Sequence, residues 1–319
     1  MSTFDVFNGD ADGICALLQL RLANPLESIL VTGVKRDIRL LQRVNAVAGD
    51  RVNVLDVSLA QNRDDVLRLL DAGVELFYVD HHMAGEIPDH PGLNAIIDTA
   101  PDVCTSLLID RYLNGRFTPW AVTAAFGDNL VTAAETIGRR AGLSQAQLAR
   151  LRELGTCVNY NGYGETVNDL HVAPDALFRS LIAYPNPEDF IADPSSCYTQ
   201  LHAGYNEDMA RAHAIRPDYE TDVMAIYILP DQAWARRVSG VFGNALANAD
   251  PARAHAVVTA NRQGGYQVSV RAPLANKLGA DELCSQFPSG GGRRGAAGIN
   301  HLPIDRYTDF VAAFQARYE

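Results

Sequence analysis

No apolar run in the sequence approaches the length of a membrane span, and no basic flank leads into an apolar core near the N-terminus. The expected setting is the cytoplasm, away from any membrane. Cysteine is sparse as well. Cys15, Cys104, Cys157, Cys197 and Cys284 are odd in number, scattered, and without paired spacing, which excludes a zinc ribbon or a disulfide framework. Positive charge is the third scarcity: 27 Lys and Arg face 38 Asp and Glu, a net charge of −11. Such a balance argues against stable binding to duplex nucleic acid. It leaves room for nucleotides and short oligonucleotides, whose phosphates a few arginines and metal ions can hold.

The chain is long enough, at 319 residues, for two domains with separate cores. Its first part alternates two periodicities. Residues 3–8, 28–33, 52–57 and 74–80 have strand composition, while 12–22, 38–47 and 63–71 carry apolar positions at helical spacing. Repeated β-α-β units of this length imply an α/β fold with a parallel sheet and right-handed crossovers. In such sheets ligands sit beyond the carboxyl ends of the strands. There the sequence places Asn8-Gly9-Asp10-Ala11-Asp12-Gly13, then Asp56, then Asp80-His81-His82. Carboxylates and imidazoles gathered on one edge suit metal ligation or proton transfer. Taken singly, each has a plainer reading as a turn, a helix cap or a solvated carboxylate.

Helical segments follow at 103–113, 145–154 and 176–183, with a stretch rich in Gly, Asn and Tyr at 159–164. That stretch reads either as a surface turn or as a ligand-facing loop whose Tyr160 and Tyr163 stack on a base. Prolines lead to a linker at 214–220. The two domains are therefore expected at 1–213 and 221–319. In the second, strands are expected at 223–229, 256–259 and 266–271, and helices at 233–247 and 281–287. Then comes Ser289-Gly290-Gly291-Gly292-Arg293-Arg294-Gly295-Ala296-Ala297-Gly298. Glycines at that density can bring backbone amides close to an anion, with two arginines adding charge; a flexible turn is the alternative.

Asp-x-Asp-Gly after the first strand, a lone Asp after the third and Asp-His-His after the fourth resemble motifs I to III of the DHH phosphoesterases. Phe126-Gly127-Asp128-Asn129 resembles motif IV. The Gly-rich stretch is similar to the Gly-Gly-Gly-His-x-x-Ala-Ala-Gly signature of the DHH-associated C-terminal domain, and Val268-Ser269-Val270-Arg271 to its Ser-x-Arg segment. The resemblance covers nearly the whole chain. It implies a mainly parallel N-terminal sheet with helices on both faces, and a smaller C-terminal α/β domain with a mixed sheet. Two departures stand out. Asn8 occupies the place of a His or Asp in motif I, and Arg293 that of the signature His.

The resemblance implies a phosphoesterase that cleaves phosphodiester or phosphomonoester bonds in nucleotides or short oligonucleotides with two metal ions. Asn8, Asp10 and Asp56 would hold one ion. Asp12, Asp56, His81 and Asp128 would hold the other, with Asp56 bridging. Mixed carboxylate and imidazole donors suit Mn²⁺, with Mg²⁺ or Co²⁺ as substitutes. His82 would touch the phosphate or protonate the leaving oxygen, oriented by Asp80. Arg271, Arg293, Arg294, Gly291 and Gly292 would bind the rest of the substrate. The competing classes are a non-catalytic or weakly catalytic nucleotide sensor and a RecJ-like single-strand exonuclease. The state of assembly, a homodimer included, is open.

Overall fold

The computed structural model describes residues 1–319, and the chain divides into two compact units. The first comprises Met1–Gly162 and Thr166–His202, the second Tyr163–Glu165 and Ala203–Glu319.

Five strands form the first unit's sheet: β1 (Thr3–Phe7), β2 (Ile29–Val31), β3 (Arg51–Leu55), β4 (Glu75–Asp80) and β5 (Leu93–Ile97). They lie in the order β2-β1-β3-β4-β5 and every pairing is parallel. Strand period two divides their side chains between the faces. Phe4, Val6, Val52, Val54, Leu76 and Tyr78 pack with Leu59, Val66, Leu69 and Leu70 of α2 (Leu59–Asp71). On β1 the alternate face carries Asp5, fully buried, which pairs with Arg21 of α1 (Ala11–Ala23) through bonds of 2.7 and 2.5 Å.

The order reverses direction between β1 and β3. A crevice opens at such a point because the connections leaving those strands run to opposite sides. The segments at that edge are those carrying Asn8, Asp10, Asp12 and Asp56.

Helices complete the unit: α3 (Thr105–Tyr112), α4 (Thr118–Gly127), α5 (Val131–Arg140), α6 (Gln145–Gly162), α7 (Pro174–Leu181) and α8 (Pro187–Ala192). Helix α4 is buried nearly all round, so it has no amphipathic stripe to betray it in the sequence. It sits tight against α6. A Cβ on Gly155 would lie 2.0 Å from the Thr123 carbonyl oxygen, so only glycine permits that approach.

Two expected elements differ. Residues 38–47 form only a 3₁₀ turn, Leu40–Arg43: of the apolar positions Ile38, Leu41 and Val44 whose spacing suggested one buried face, Leu41 and Val44 are buried and Ile38 is exposed. Side chains of α2 occupy the backbone groups a longer helix would need. Asn62 accepts from the Leu41 amide and donates to the Ile38 carbonyl, and Arg68 donates to the Leu41 and Val44 carbonyls. The stretch at 159–164 is no loop: α6 runs through it to Gly162. Its asparagines are satisfied in place. Asn159 accepts from Lys35, and Asn161 bonds the backbone of His171 and Val172.

Helix α9 (Tyr198–His213) contains the division at His202, ahead of the expected linker. The second unit has β6 (Tyr219–Glu220), β7 (Met224–Leu229), α10 (Ala233–Ala249), β8 (Ala254–Ala260), β9 (Gly265–Arg271), α11 (Ala280–Cys284), β10 (Gly290–Arg293), β11 (Ala296–Pro303) and α12 (Tyr307–Tyr318). The expected linker thus holds a strand, β6, paired antiparallel with β7. The sheet is mixed, in the order β10-β11-β9-β8-β7-β6, and only β7 with β8 is parallel. Phe310 and Phe314 of α12 and Leu283 of α11 fill the core on one face. No helix is long and apolar enough to cross a membrane.

Candidate active site

Each first-unit element at the sheet's carboxyl edge brings one group to the same place. Asp10 caps α1, its Oδ1 accepting from the Asp12 and Gly13 amides at 2.9 and 3.1 Å. Asp12, in the first turn, turns its carboxylate to the start of α3. Its two oxygens accept from the Thr105 and Ser106 amides, both at 2.7 Å. A helix N-terminus favours that negative charge. Asp56 leaves β3 with φ +58°, a left-handed conformation that Asp and Asn tolerate better than most residues. Asp128 follows the end of α4.

His81 stands among them. Its Nδ1 lies 2.9 Å from the Val103 carbonyl, which can only accept, so that nitrogen carries the proton. In the neutral ring the lone pair is on Nε2, and Nε2 faces Asp56 Oδ1 at 3.3 Å, Asp128 Oδ2 at 3.7 Å and Asp12 Oδ2 at 3.8 Å. Three carboxylate oxygens around one imidazole nitrogen form a donor set whose crowding a cation between them would relieve. Ligand atoms of Asp12, His81 and Asp128, and those of Asp56, His81 and His82, lie within 4.8 Å of one another. The donor set fits a divalent ion.

The electrostatics agree. Burial, and then the charges of Asp10, Asp12 and Asp128, push the Asp56 carboxyl well above its ordinary range. Burial and Asp128 raise Asp12 in the same direction. His82 bonds through Nδ1 to Asp80 Oδ1 at 2.8 Å, and its other nitrogen has no bond to the protein. Burial disfavours the His82 imidazolium, but the bond and charge of Asp80, aided by Asp56, raise it above the usual histidine value. For Asp80, burial is outweighed by the same bond, and its carboxyl falls below the usual range. Asp80 is fully buried, and its Oδ2 has no hydrogen-bond partner.

Asn8 and Asp10 are differently engaged. Asn8 Oδ1 accepts from the Asp10 amide at 3.3 Å and its Nδ2 donates to the Lys35 carbonyl at 3.1 Å. Asp10 Oδ2 receives the Lys35 ammonium, which also reaches Asn159 Oδ1 at 3.2 Å and Asp128 Oδ1 at 3.5 Å.

In the second unit the Gly-rich stretch is an edge strand and a hairpin, not a loop around an anion. Gly291 and Gly292 pair with Gly298 and Ala297. A Cβ on Gly292 would lie 2.5 Å from Ala297 Cα, so close strand packing accounts for that glycine. Arg271, Ala296 and Arg293 are in register across β9, β11 and β10, which sets both arginines on one face with a methyl between them. Arg271 donates to Asn244, Ser269 and the Val270 and Gly240 carbonyls, and no carboxylate pairs with it. Burial, with the Arg293 charge, lowers its pKa, while Tyr163 raises it. Tyr163 packs on α10 at Gly240. Arg293 and Arg294 are exposed. Tyr160 is fully buried inside α6 with its hydroxyl 2.8 Å from His171 Nε2, so stacking on a base is excluded for it.

No family model matches the sequence, and no curated protein does. Solved structures do match the fold. A manganese-bound exonuclease RecJ superposes over 100% of this chain and 91% of its own, at 18% identity and a TM-score of 0.61. RecJ of Thermus thermophilus with Mn²⁺ gives 0.59 at 18% identity, this chain spanning 52% of it. The pGpG-specific phosphodiesterase PggH of Vibrio cholerae gives 0.53 at 12% identity, over 99% and 98% of the two chains.

The chain has the RecJ fold.

The acidic strand exits are legible in the sequence, and Lys35 is a site residue that the motifs do not include. Its signal was available: it follows the second strand, at the same carboxyl edge as the others. Thr105 and Ser106, which hold Asp12, had no local signal, because their role depends on where α3 begins.

Proposed function

We propose that this chain is a divalent-metal-dependent phosphoesterase acting on nucleotides or short oligonucleotides. The observation that carries this reading is His81 Nε2 facing carboxylate oxygens of Asp56, Asp128 and Asp12 at 3.3, 3.7 and 3.8 Å. Asp12, Asp56, His81 and Asp128 would hold the ion, with Mn²⁺ the best match to the donors and Mg²⁺ or Co²⁺ as substitutes. When bound, such an ion supplies Lewis acidity toward a phosphoryl oxygen and acidifies water toward neutral pH. The protein's own groups do the rest. His82 is held by Asp80 at Nδ1, and in its imidazolium form its Nε2–H can be donated to the leaving oxygen. Asp80 raises the proton affinity of that imidazole and orients it. Arg271, a half-buried cation without a counter-ion, is the substrate-anion site of the second unit, with Arg293 on the same face and Arg294 next in the chain.

The fold shared with RecJ and PggH, enzymes of nucleic-acid and nucleotide substrates by name, supports this substrate class. The net charge of −11 disfavours long polymers and duplexes. Efficiency should peak at about two to five nucleotides or on a mononucleotide bisphosphate, because the few cationic groups reward few phosphates. The test is a hydrolysis screen with Mn²⁺ across nucleoside bisphosphates, linear and cyclic dinucleotides and single strands of increasing length. Efficiency rising steadily with length would favour the single-strand exonuclease reading. Absence of turnover on every member would sink the enzymatic one.

A further inference from the structure

Lysine is almost absent from this chain: of 27 basic residues, only Lys35 and Lys277 are lysines. One of the two is directed into the acidic cluster. We propose that the Lys35 ammonium stands in for a second metal ion, so that the centre takes one divalent cation and one fixed organic cation. This inference rests on the metal-dependent reading above and specifies its ion count, in departure from the two ions expected from the sequence.

The residues that would have held another ion already have a cation beside them, the Lys35 ammonium on Asp10. Asn8 is neutral, and both ends of its amide are bound to backbone. Its orientation is fixed by those partners, since an amide N–H needs the oxygen and a carbonyl needs the nitrogen. The lone pair left on its oxygen belongs to a neutral amide, a poorer ligand than a carboxylate. Asp10 in turn uses Oδ1 for the α1 cap and Oδ2 for Lys35. A divalent ion on the same oxygens would stand within a few ångströms of the ammonium and be repelled by it.

Lys35 is itself well fixed. Its amide donates to the Gly162 carbonyl at 2.8 Å, its carbonyl accepts from Asn8, and its ammonium reaches Asp10, Asp128 and Asn159. Its side chain is one-quarter exposed, enough for a donor to reach a ligand. Lysine suits the task better than the arginine used elsewhere in the chain, because an ammonium is a compact point charge of roughly ionic shape. The neutral Asn8 and the charged Lys35 are thus two sides of one substitution. The ammonium supplies, toward a phosphoryl oxygen, the positive charge that a second ion would have supplied.

Mn²⁺ stoichiometry, measured by equilibrium dialysis with metal analysis and by electron paramagnetic resonance, tests the inference without reference to turnover. The wild-type chain should bind one Mn²⁺ and show an uncoupled spectrum. Lys35→Met combined with Asn8→Asp should bind two and show exchange coupling, and Lys35→Met alone should bind the second more weakly than the double variant. Two tightly bound, coupled ions in the wild type would overturn the inference while leaving the phosphoesterase reading intact. No bound ion would overturn both. The wild-type count stands even where a variant fails to fold, and a folded double variant that still binds one ion would remove Lys35 from the role.

Discussion

Replacing Asp56 with Asn tests the metal centre through stability alone. The change is nearly isosteric, Asn tolerates the φ of +58°, and its oxygen can still accept the Thr105 hydroxyl, so the fold is preserved. What disappears is a buried charge facing Asp10, Asp12 and Asp128. In the apo protein that charge repels its neighbours, and the folded state therefore holds a proton on Asp56 more tightly than the unfolded state does. Its raised pKa makes the apo protein gain stability as pH falls from Asp56's folded value toward the ordinary carboxylate range, and lose it as pH rises. Asp56→Asn should accordingly raise the apo Tm at neutral pH. With metal the order inverts. An ion at a hundred times its Kd stabilises by about 2.7 kcal/mol, which shifts a unit of roughly 200 residues by about 5–10 °C. If losing Asp56 weakens the ion about 100-fold, the remaining stabilisation is about 0.4 kcal/mol, roughly 1 °C. Scanning calorimetry with and without Mn²⁺ reads both effects. An undiminished Mn²⁺ shift in Asp56→Asn would refute the ligand assignment.

Gly155→Ala should force α6 from α4 against the Thr123 carbonyl, costing about 1–3 kcal/mol and weakening Mn²⁺ binding through Asp128; unchanged metal affinity would disconnect the two. Arg21→Met strands the buried Asp5 carboxylate beside Ser28 and Asn53 and should cost about 3–5 kcal/mol in urea unfolding, most of it recovered by adding Asp5→Asn. A single variant as stable as the double would contradict this. His255, buried in β8, has its pKa lowered to about 4, chiefly by burial. The unfolded chain then binds the extra proton first, so the second unit loses stability as pH falls from 6.5 to about 4, by at most about 3 kcal/mol. His255→Gln should flatten that limb of the pH–stability profile, and an unaltered limb would assign the acid loss to other groups.

The parallel sheet and the acidic edge were legible because both are local: strand composition, helical spacing, and polar residues placed where strands must end. Asp12, Asp56 and His81 could be named from sequence position, since parallel strands deliver their exits to one side, whereas Asp128 follows a helix and was legible only through its likeness to motif IV. Other features were decided only by packing. Residues 38–47 carry a helical pattern, yet Asn62 and Arg68 of α2 take their backbone groups and leave one turn. Helix α4 is apolar on every side and shows no period until its neighbours bury it. The stretch at 159–164 has the composition of a turn and is helical because Lys35 and the backbone at 171–172 satisfy its asparagines. The Gly-rich segment reads as an anion loop and becomes an edge strand because β11 lies close enough to exclude any side chain at Gly292. Sequence alone determined which donors stand at the edge of the sheet. Which of them remain open to an ion was left to tertiary structure, because Lys35 reaches Asp10 only when the loop after β2 packs against the end of α6.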